Sequence, residues 1–364
     1  MKRIIVRTAA ALLAAVLLFP VPAKAVSARS AILMDAQTGR ILFEKDANTR
    51  SLIASTTKIM TALVVCEQCN VLDRMRIPKE AVGIEGSSMY LKEGEVLTIQ
   101  ELLYGLMLHS GNDAAVALAI YCGGTVEGFV ELMNDKARLL GMDGTHFANP
   151  NGLDHPQHYS TARDLAVLSA YAMQNPVFSQ TVSTKSLTIG QRSLKNHNKI
   201  LWMVEGADGV KTGFTKAAGR ILVSSASRDG RRLIAVTIHD PNDWQDHTAL
   251  LENGFRNYAV RQLVASGQQV GTVEIVGGTE KEAVVLAAED FYYSMMQDEK
   301  AEIIISGQRF AYAPVAHGAE AGFAHICIDG KSVGKIPIVY GQTVELEPEE
   351  KHHFWDGWFG GNRS

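Results

Sequence analysis

Residues 208–238 read DGVKTGFTKAAGRILVSSASRDGRRLIAVTI. Asp208–Thr215, Arg220–Ser227 and Arg231–Ile238 are three short strand-like runs, and Arg228-Asp229-Gly230 between the last two suits a tight hairpin turn. A second hairpin pattern lies near the other end of the chain. Ser30–Ala36 (SAILMDA) and Arg40–Ala47 (RILFEKDA) alternate apolar and polar residues around Gln37-Thr38-Gly39. Helical patterns fill the space between. Ser55–Glu67 (STTKIMTALVVCE) is apolar at helical spacing, and Thr98-Ile99-Gln100-Glu101 has the capping-box form that opens a helix to about Leu108. Ser110-Gly111-Asn112 interrupts, Asp113–Tyr121 resumes, and Val126–Leu140, Thr161–Met173 and Trp244–Ala259 complete the set. Strands at both ends with helices between them predict an α+β domain over residues 29–262. Its core is one antiparallel five-stranded sheet, with the N-terminal hairpin beside the three late strands and helices on its faces.

After Ser266-Gly267 the composition shifts. Val273–Ile275, Ala283–Leu286, Ala301–Ile305, Ala324–Ile328 and Ile336–Tyr340 are strand-like, and Asp329-Gly330 marks a hairpin, which predicts a small all-β domain over 268–347. It holds no concentrated set of catalytic residue types. The acidic and aromatic tail, 348–364, contains Phe354, Trp355, Trp358 and Phe359. Such rings favour a membrane interface, which suggests weak membrane contact, although the tail lacks the length and basic face of a good amphipathic anchor.

The N-terminus reads as a secretory signal peptide over 1–25. Lys2, Arg3 and Arg7 precede an apolar run from Thr8 to Phe19, too short for the about 20 residues that span a bilayer. Ala23-Lys24-Ala25 offers a cleavage site, and Val26-Ser27-Ala28 another. Cleavage after Ala25 removes four of the 35 Lys and Arg residues and none of the 39 Asp and Glu, taking the formal charge from −4 to −8. An exported, acidic protein is expected, working without ATP or nicotinamide. Its charge argues against a nucleic-acid partner held by phosphate neutralisation.

An exported enzyme without a cofactor has to activate its own nucleophile. In Ser55-Thr56-Thr57-Lys58, positions i and i+3 share a helical face, so the lysine amine reaches the serine hydroxyl. A serine needs a base, and a lysine serves when burial or a second cation lowers its pKa. A helix N-terminus at Ser55 also directs a positive dipole end at a developing oxyanion. Alone, Ser-x-x-Lys is equally an N-cap beside an exposed lysine. Two further elements change the weight. Ser110-Gly111-Asn112 lies at a break between helices, where a polar loop can enter a cleft. Lys211-Thr212-Gly213 lies in the first late strand, where a residue without a side chain lets a ligand backbone approach and an extended peptide can add along the edge. Lys211 and Thr212 offer a cation and a hydroxyl to a carboxylate. From Lys58 to Ser110 is 52 positions, and from Asn112 to Lys211 is 99. This is the ordered triple of penicillin-recognising serine enzymes.

The chain resembles the D-alanyl-D-alanine carboxypeptidases of the penicillin-binding protein 5 type over nearly its whole length after the signal segment. The resemblance is carried by Ala31–Ala47 (AILMDAQTGRILFEKDA), Ala54–Thr61 (ASTTKIMT), His109–Ala114 (HSGNDA), Asn149–Leu153 (NPNGL), Ser160–Asp164 (STARD) and Gly209–Thr215 (GVKTGFT). It implies that Ser55 attacks the penultimate D-alanine carbonyl of a peptidoglycan stem peptide while Lys58 takes its proton. Ser110 and Lys211 relay a proton to the leaving D-alanine. Asn112 holds the peptide amide and positions Lys58, Lys211 and Thr212 bind the terminal carboxylate, and the amides of Ser55 and Phe214 form the oxyanion hole. Gly213 completes the third motif. β-Lactams are expected as slowly released acylating inhibitors. One departure stands out. The family's arginine near the start of the last helix is absent from Pro241–His247 (PNDWQDH), so Lys216 or Arg220 stands in, or Lys211 and Thr212 suffice.

Rival readings are weaker. A class A-type β-lactamase needs a deacylating glutamate, and Thr161-Ala162-Arg163-Asp164 stands where Glu-x-x-Leu-Asn would. A D,D-endopeptidase shares the chemistry, and a noncatalytic wall-binding protein would need a broken triad. No metal is expected. Cys66-Glu67-Gln68-Cys69 has ligand-like spacing but no second pair, and reads as core or near-surface thiols. Cys122 and Cys327 lie far apart in sequence, and His155, His158, His239 and His247 form no His-Glu-x-x-His pattern. His197 borders the cleft or stabilises a loop.

Overall fold

The computed structural model describes residues 26–307 and 309–348. The expected signal segment and all but the first residue of the expected tail lie outside the described residues. The late strands Ala207–Thr215, Gly219–Arg228 and Arg231–Ile238 form an antiparallel sheet with Ser30–Asp35 and Ile41–Lys45. Ser30–Asp35 pairs antiparallel with Arg231–Ile238 (Leu33 opposite Ala235), so the hairpin closes beside the late strands and Ala207–Thr215 is left as an edge. Asp229 (φ 50°) and Gly230 (φ 78°) both adopt positive φ, as the primed turn of a two-residue hairpin requires.

Both faces of this sheet are buried, which is why its central strands read as continuous apolar runs. One face places Ile32, Met34, Ile221, Val223, Ile234 and Val236 in the main core. That core is shared with helices α1 (Lys58–Gln68), α2 (Ile99–Leu108), α3 (Asn112–Gly123), α4 (Val126–Leu139), α5 (Ala162–Ala172) and α6 (Pro176–Ser183). The other face places Leu33, Leu222, Leu233 and Ala235 against α7 (Ile200–Met203) and α8 (Asp243–Asn257). The predicted capping box is present: Thr98 Oγ1 accepts from the Glu101 amide at 3.1 Å, and the Glu101 carboxylate accepts from the Thr98 amide at 2.7 Å. Helix α6 and the small hairpin Ser186–Ile189/Arg192–Lys195 were not anticipated. Both are short, the helix eight residues and the hairpin strands four each, and both pack on the main core through residues such as Phe178, Val182, Ile189 and Leu194.

The last helix stops earlier than expected. Ala259–Val264 is a strand paired antiparallel with Phe291–Met295, a partner 27 to 36 residues away that no local pattern announces. Beyond it, a six-stranded sheet has its own apolar core. The two parts meet around two arginines. Arg40, in the first hairpin turn, binds the Glu299 carboxylate and lies between the Tyr258 and Tyr293 rings, 5.1 and 5.3 Å from their centroids. Arg231 donates to Asp35 Oδ2 (2.7 Å), the Tyr258 carbonyl (2.6 Å) and Ser294 Oγ (2.8 Å).

Candidate active site

The turn that presents Ser55 is a short 3-10 segment, Ala54–Thr57, running directly into α1. Its hydroxyls turn inward: Thr56 Oγ1 donates to the Ile53 carbonyl at 2.5 Å and Thr57 Oγ1 to the Ala54 carbonyl at 2.8 Å. Ala54 sits at φ 43°, a left-handed conformation that a non-glycine residue adopts only when its surroundings impose it. Two glycines supply those surroundings. A Cβ on Gly152 would stand 1.9 Å from the Ala54 carbonyl oxygen, and one on Gly213 would stand 3.1 Å from the Ile53 oxygen and 3.2 Å from the Thr56 nitrogen. Gly213 therefore admits the chain's own nucleophile turn against the edge strand, in addition to lining the cleft as expected.

Lys58 opens α1 one turn beyond Ser55 and is fully buried. Its Nζ lies 2.9 Å from Ser55 Oγ, 2.7 Å from Asn112 Oδ1 and 2.5 Å from the Asn151 carbonyl oxygen. Burial, and then the nearby Lys211 charge, push its pKa well below the ordinary lysine value. Three acceptors match the three N–H bonds of an ammonium. In the neutral amine the lone pair has to face one neighbour, and of the three only Ser55 carries a proton to give. A proton passing from Ser55 Oγ to that lone pair is a transfer this geometry permits.

Asn112 is held at both ends, since its Nδ2 donates to the Glu85 carbonyl at 2.5 Å. Ser110 precedes α3 at φ 62°, and its buried Oγ has no hydrogen-bond partner among the described residues. Asp113 pins the neighbouring loop through Ser88 Oγ (2.6 Å) and the amides of Met89 and Leu91 (3.0 Å each), which brings Ser87 to the cleft. Lys211 is 2% exposed and donates to the Thr212 carbonyl at 3.0 Å. Burial lowers its pKa to about 7. His197 is pushed down to about 4 by burial, then by the charges of Lys211 and His109, so it is neutral at pH 7.

A cleft of about 310 Å³ is lined by Ser55, Ser110, Thr212, Gly213 and Phe214, with Lys58, Asn112 and Lys211 buried beneath or beside it. His197 is on the wall, so it borders the cleft. Arg220 also lines the cleft, whereas Lys216 is not among its lining residues. The Arg220 guanidinium grips Asp243, at the start of α8, through bonds of 2.8, 2.8 and 3.1 Å. The Asp243 side chain is 4% exposed and that of Arg220 44%, so the acid is anchored and the cation faces outward.

Asn151 and Asp243 carry roles that residue patterns did not assign. Asn151 contributes a backbone carbonyl, which has no side-chain signature. Its loop was visible only as the stretch NPNGL. That loop is fastened to α1 by Thr61 Oγ1, which donates to the Pro150 carbonyl at 2.6 Å. His158 braces it from the side. Its Nδ1 accepts from the Ala148 amide at 3.0 Å, so Nε2 carries the proton and donates to Thr57 Oγ1 at 2.6 Å. His158 thereby braces the loop against the nucleophile turn.

Comparison with known proteins agrees with this geometry. Residues 19–242 match the family model described as D-alanyl-D-alanine carboxypeptidase, and residues 258–346 match that of the penicillin-binding protein 5 C-terminal domain. The chain is similar to D-alanyl-D-alanine carboxypeptidase DacF of Bacillus subtilis (strain 168), at 32% identity over 87% of this chain and 86% of that protein. It is 35% identical to DacD of Escherichia coli (strain K12), over 88% of this chain and 87% of the relative. Among solved structures, penicillin binding protein 5 from Haemophilus influenzae superposes with a TM-score of 0.76 at 29% identity, covering 88% of this chain and 98% of that one.

Proposed function

The chain belongs to the D-alanyl-D-alanine carboxypeptidase family, and we infer from that premise that it is a penicillin-binding serine hydrolase acting on peptidoglycan. The substrate is a stem pentapeptide ending in D-Ala-D-Ala, and the product is the peptide shortened by one D-alanine. The observation that carries this reading is the fully buried Lys58 amine, 2.9 Å from Ser55 Oγ.

Ser55 Oγ gives its proton to Lys58 and attacks the penultimate carbonyl. The amides of Ser55 and Phe214 receive the oxyanion. Ser110, whose buried hydroxyl is free to turn, and Lys211 pass a proton to the departing D-alanine nitrogen. Water then attacks the acyl-enzyme, with Lys58 again as base. The edge strand Ala207–Thr215 offers backbone groups to an extended peptide.

The terminal carboxylate meets Lys211 and Thr212, and Arg220 supplies the second cation. This reading is supported by the Asp243 pair, which holds Arg220 at the cleft beside the start of α8. A penicillin would acylate Ser55 and leave slowly. Among the residues lining the cleft the carboxylate is Asp243, which is committed to Arg220 and offers no general base for rapid deacylation. Export by the N-terminal segment accords with a substrate that lies outside the cytoplasm. The β domain is proposed to lift the active site toward the wall.

The test is paired. Purified protein should release D-alanine from a D-Ala-D-Ala pentapeptide and form a stable adduct with a fluorescent penicillin, and Ser55→Ala should do neither. An active Ser55→Ala protein would sink the assignment. Rapid penicillin turnover without peptide activity would point instead to a β-lactamase, and cleavage of cross-linked dimers alone to an endopeptidase.

A further inference from the structure

Helices α1 and α3 both begin at the active site, α1 directly after Ser55 and α3 directly after Ser110-Gly111. They also end together. Cys69 is the C-terminal cap of α1, and Cys122 lies in the last turn of α3. Their Sγ atoms lie 2.7 Å apart although 53 residues separate them in sequence. Both residues are partly exposed, so a thiol reagent can reach them. Cys66, one turn back on α1, is outside this contact; within the pair the hydrogen bond from Cys122 lowers the pKa of Cys69, which marks Cys69 as the thiolate that attacks first. Cys327 belongs to the β domain's sheet and is buried.

We propose that Cys69 and Cys122 form a disulfide that staples the far end of α1 to the far end of α3, making one rigid unit of the helices that present Ser55-Lys58 and Ser110-Asn112. One thiolate of the pair attacks a sulfur of an external disulfide, either the disulfide form of a thiol oxidoreductase or oxidised glutathione. It forms a mixed disulfide and expels a thiolate. The second thiolate of the pair attacks the mixed disulfide, closes the intramolecular bond and expels the other half of the oxidant. Two electrons pass to the oxidant and two protons to solvent. Such chemistry belongs to an oxidising compartment, so in the cell it rests on the export reading.

The test uses the purified full chain equilibrated with oxidised glutathione. Mapping of non-reduced peptides is expected to find Cys69 linked to Cys122, with Cys66 and Cys327 alkylated in denaturant. The oxidised protein should melt about 5–10 °C above the reduced one. Cys69→Ser and Cys122→Ser should each abolish that difference, and Cys66→Ser should keep it. Four alkylatable thiols, a Cys66–Cys69 link, or stable glutathione adducts on both partners would overturn the proposal, and these mapping outcomes do not depend on any variant's folding. Because glutathione forms the bridge without export, failure in the buffer counts against the staple. A bridge that forms in the buffer while protein taken from cells is reduced counts against export alone.

Discussion

Asn112 Oδ1 accepts a hydrogen bond from Lys58 Nζ at 2.7 Å, which joins two sequence motifs in one buried polar contact. A neutral acceptor there holds the amine without setting a formal negative charge against it. That is the condition under which burial keeps the lysine available as a base. Replacing Asn112 by Asp would place an anion against the amine and raise its pKa. The base form would then appear only at higher pH. The acid limb of kcat/KM for pentapeptide hydrolysis should move to higher pH by one unit or more, with a loss of up to about tenfold per unit at pH values below the limb. The variant also loses the Nδ2 donation to the Glu85 carbonyl, so a modest drop in melting temperature should accompany the shifted limb.

Lys211 sets the opposite limb. Burial brings its ammonium to about 7, so the free enzyme loses this cation as pH rises through that value. The profile of kcat/KM should fall on the alkaline side of neutrality. An arginine stays charged throughout. Lys211→Arg should therefore lower the rate, because it cannot relay a proton, but should flatten the alkaline limb. A limb unchanged in Lys211→Arg would assign it to another group.

Arg220 and Asp243 divide one task between them. Arg220→Gln should weaken binding of a free C-terminal carboxylate, with kcat/KM falling roughly 10–100-fold, as expected for one charge-assisted hydrogen bond. Asp243→Asn should give a smaller loss, since the cation remains but its aim is relaxed. A pentapeptide amide, which lacks the carboxylate, should respond little to either change. Equal losses on acid and amide would reassign the pair to architecture.

Gly152 tests the support of the nucleophile turn. An added Cβ would meet the Ala54 carbonyl oxygen at 1.9 Å, and the residue sits at φ 89°. Gly152→Ala should destabilise the protein by about 2–4 kcal/mol from combined backbone strain and overpacking. It should also slow acylation by fluorescent penicillin below the melting transition, because the turn cannot hold Ser55 without that space.

Two buried histidines should govern stability in acid. His247 is fully buried between Ser224 Oγ (2.5 Å) and Thr237 Oγ1 (2.9 Å), and burial holds its pKa near 3. His158 is held near 4, chiefly by burial. Both are depressed below the unfolded value, so the unfolded chain binds more protons. Their contribution is complete above about pH 6.5 and is lost as pH falls, each by up to about 1.4 kcal/mol per pH unit down to its folded pKa. Denaturant midpoints measured from pH 7 to 4 should fall accordingly, and more gently in His247→Gln.

How much of this was legible depended on range. The five-stranded α+β sheet could be read because its strands advertise themselves by apolar runs and an Asp-Gly turn, and the helices by capping and spacing. The catalytic triple could be read because its chemistry requires particular side chains in a fixed order. The last helix was carried to Ala259, and the strand Ala259–Val264 was not anticipated, since its partner Phe291–Met295 lies 27 to 36 residues downstream. Helix α6 and the hairpin after it were missed because each is short, eight residues and two strands of four, so little local pattern marks them.

Side-chain identity and short spacing made the fold class and the family legible, and they singled out Ser55, Lys58, Lys211 and Thr212 as candidates that the structure gathers in and beneath one cleft. Tertiary structure alone decided that the Asn151 carbonyl completes the Lys58 shell, that Gly213 makes room for the nucleophile turn, that Asp243 aims Arg220, and that Cys69 meets Cys122. Each of these depends on a backbone atom, an absent side chain or a pair far apart in the chain. Only packing brings such groups within bonding distance.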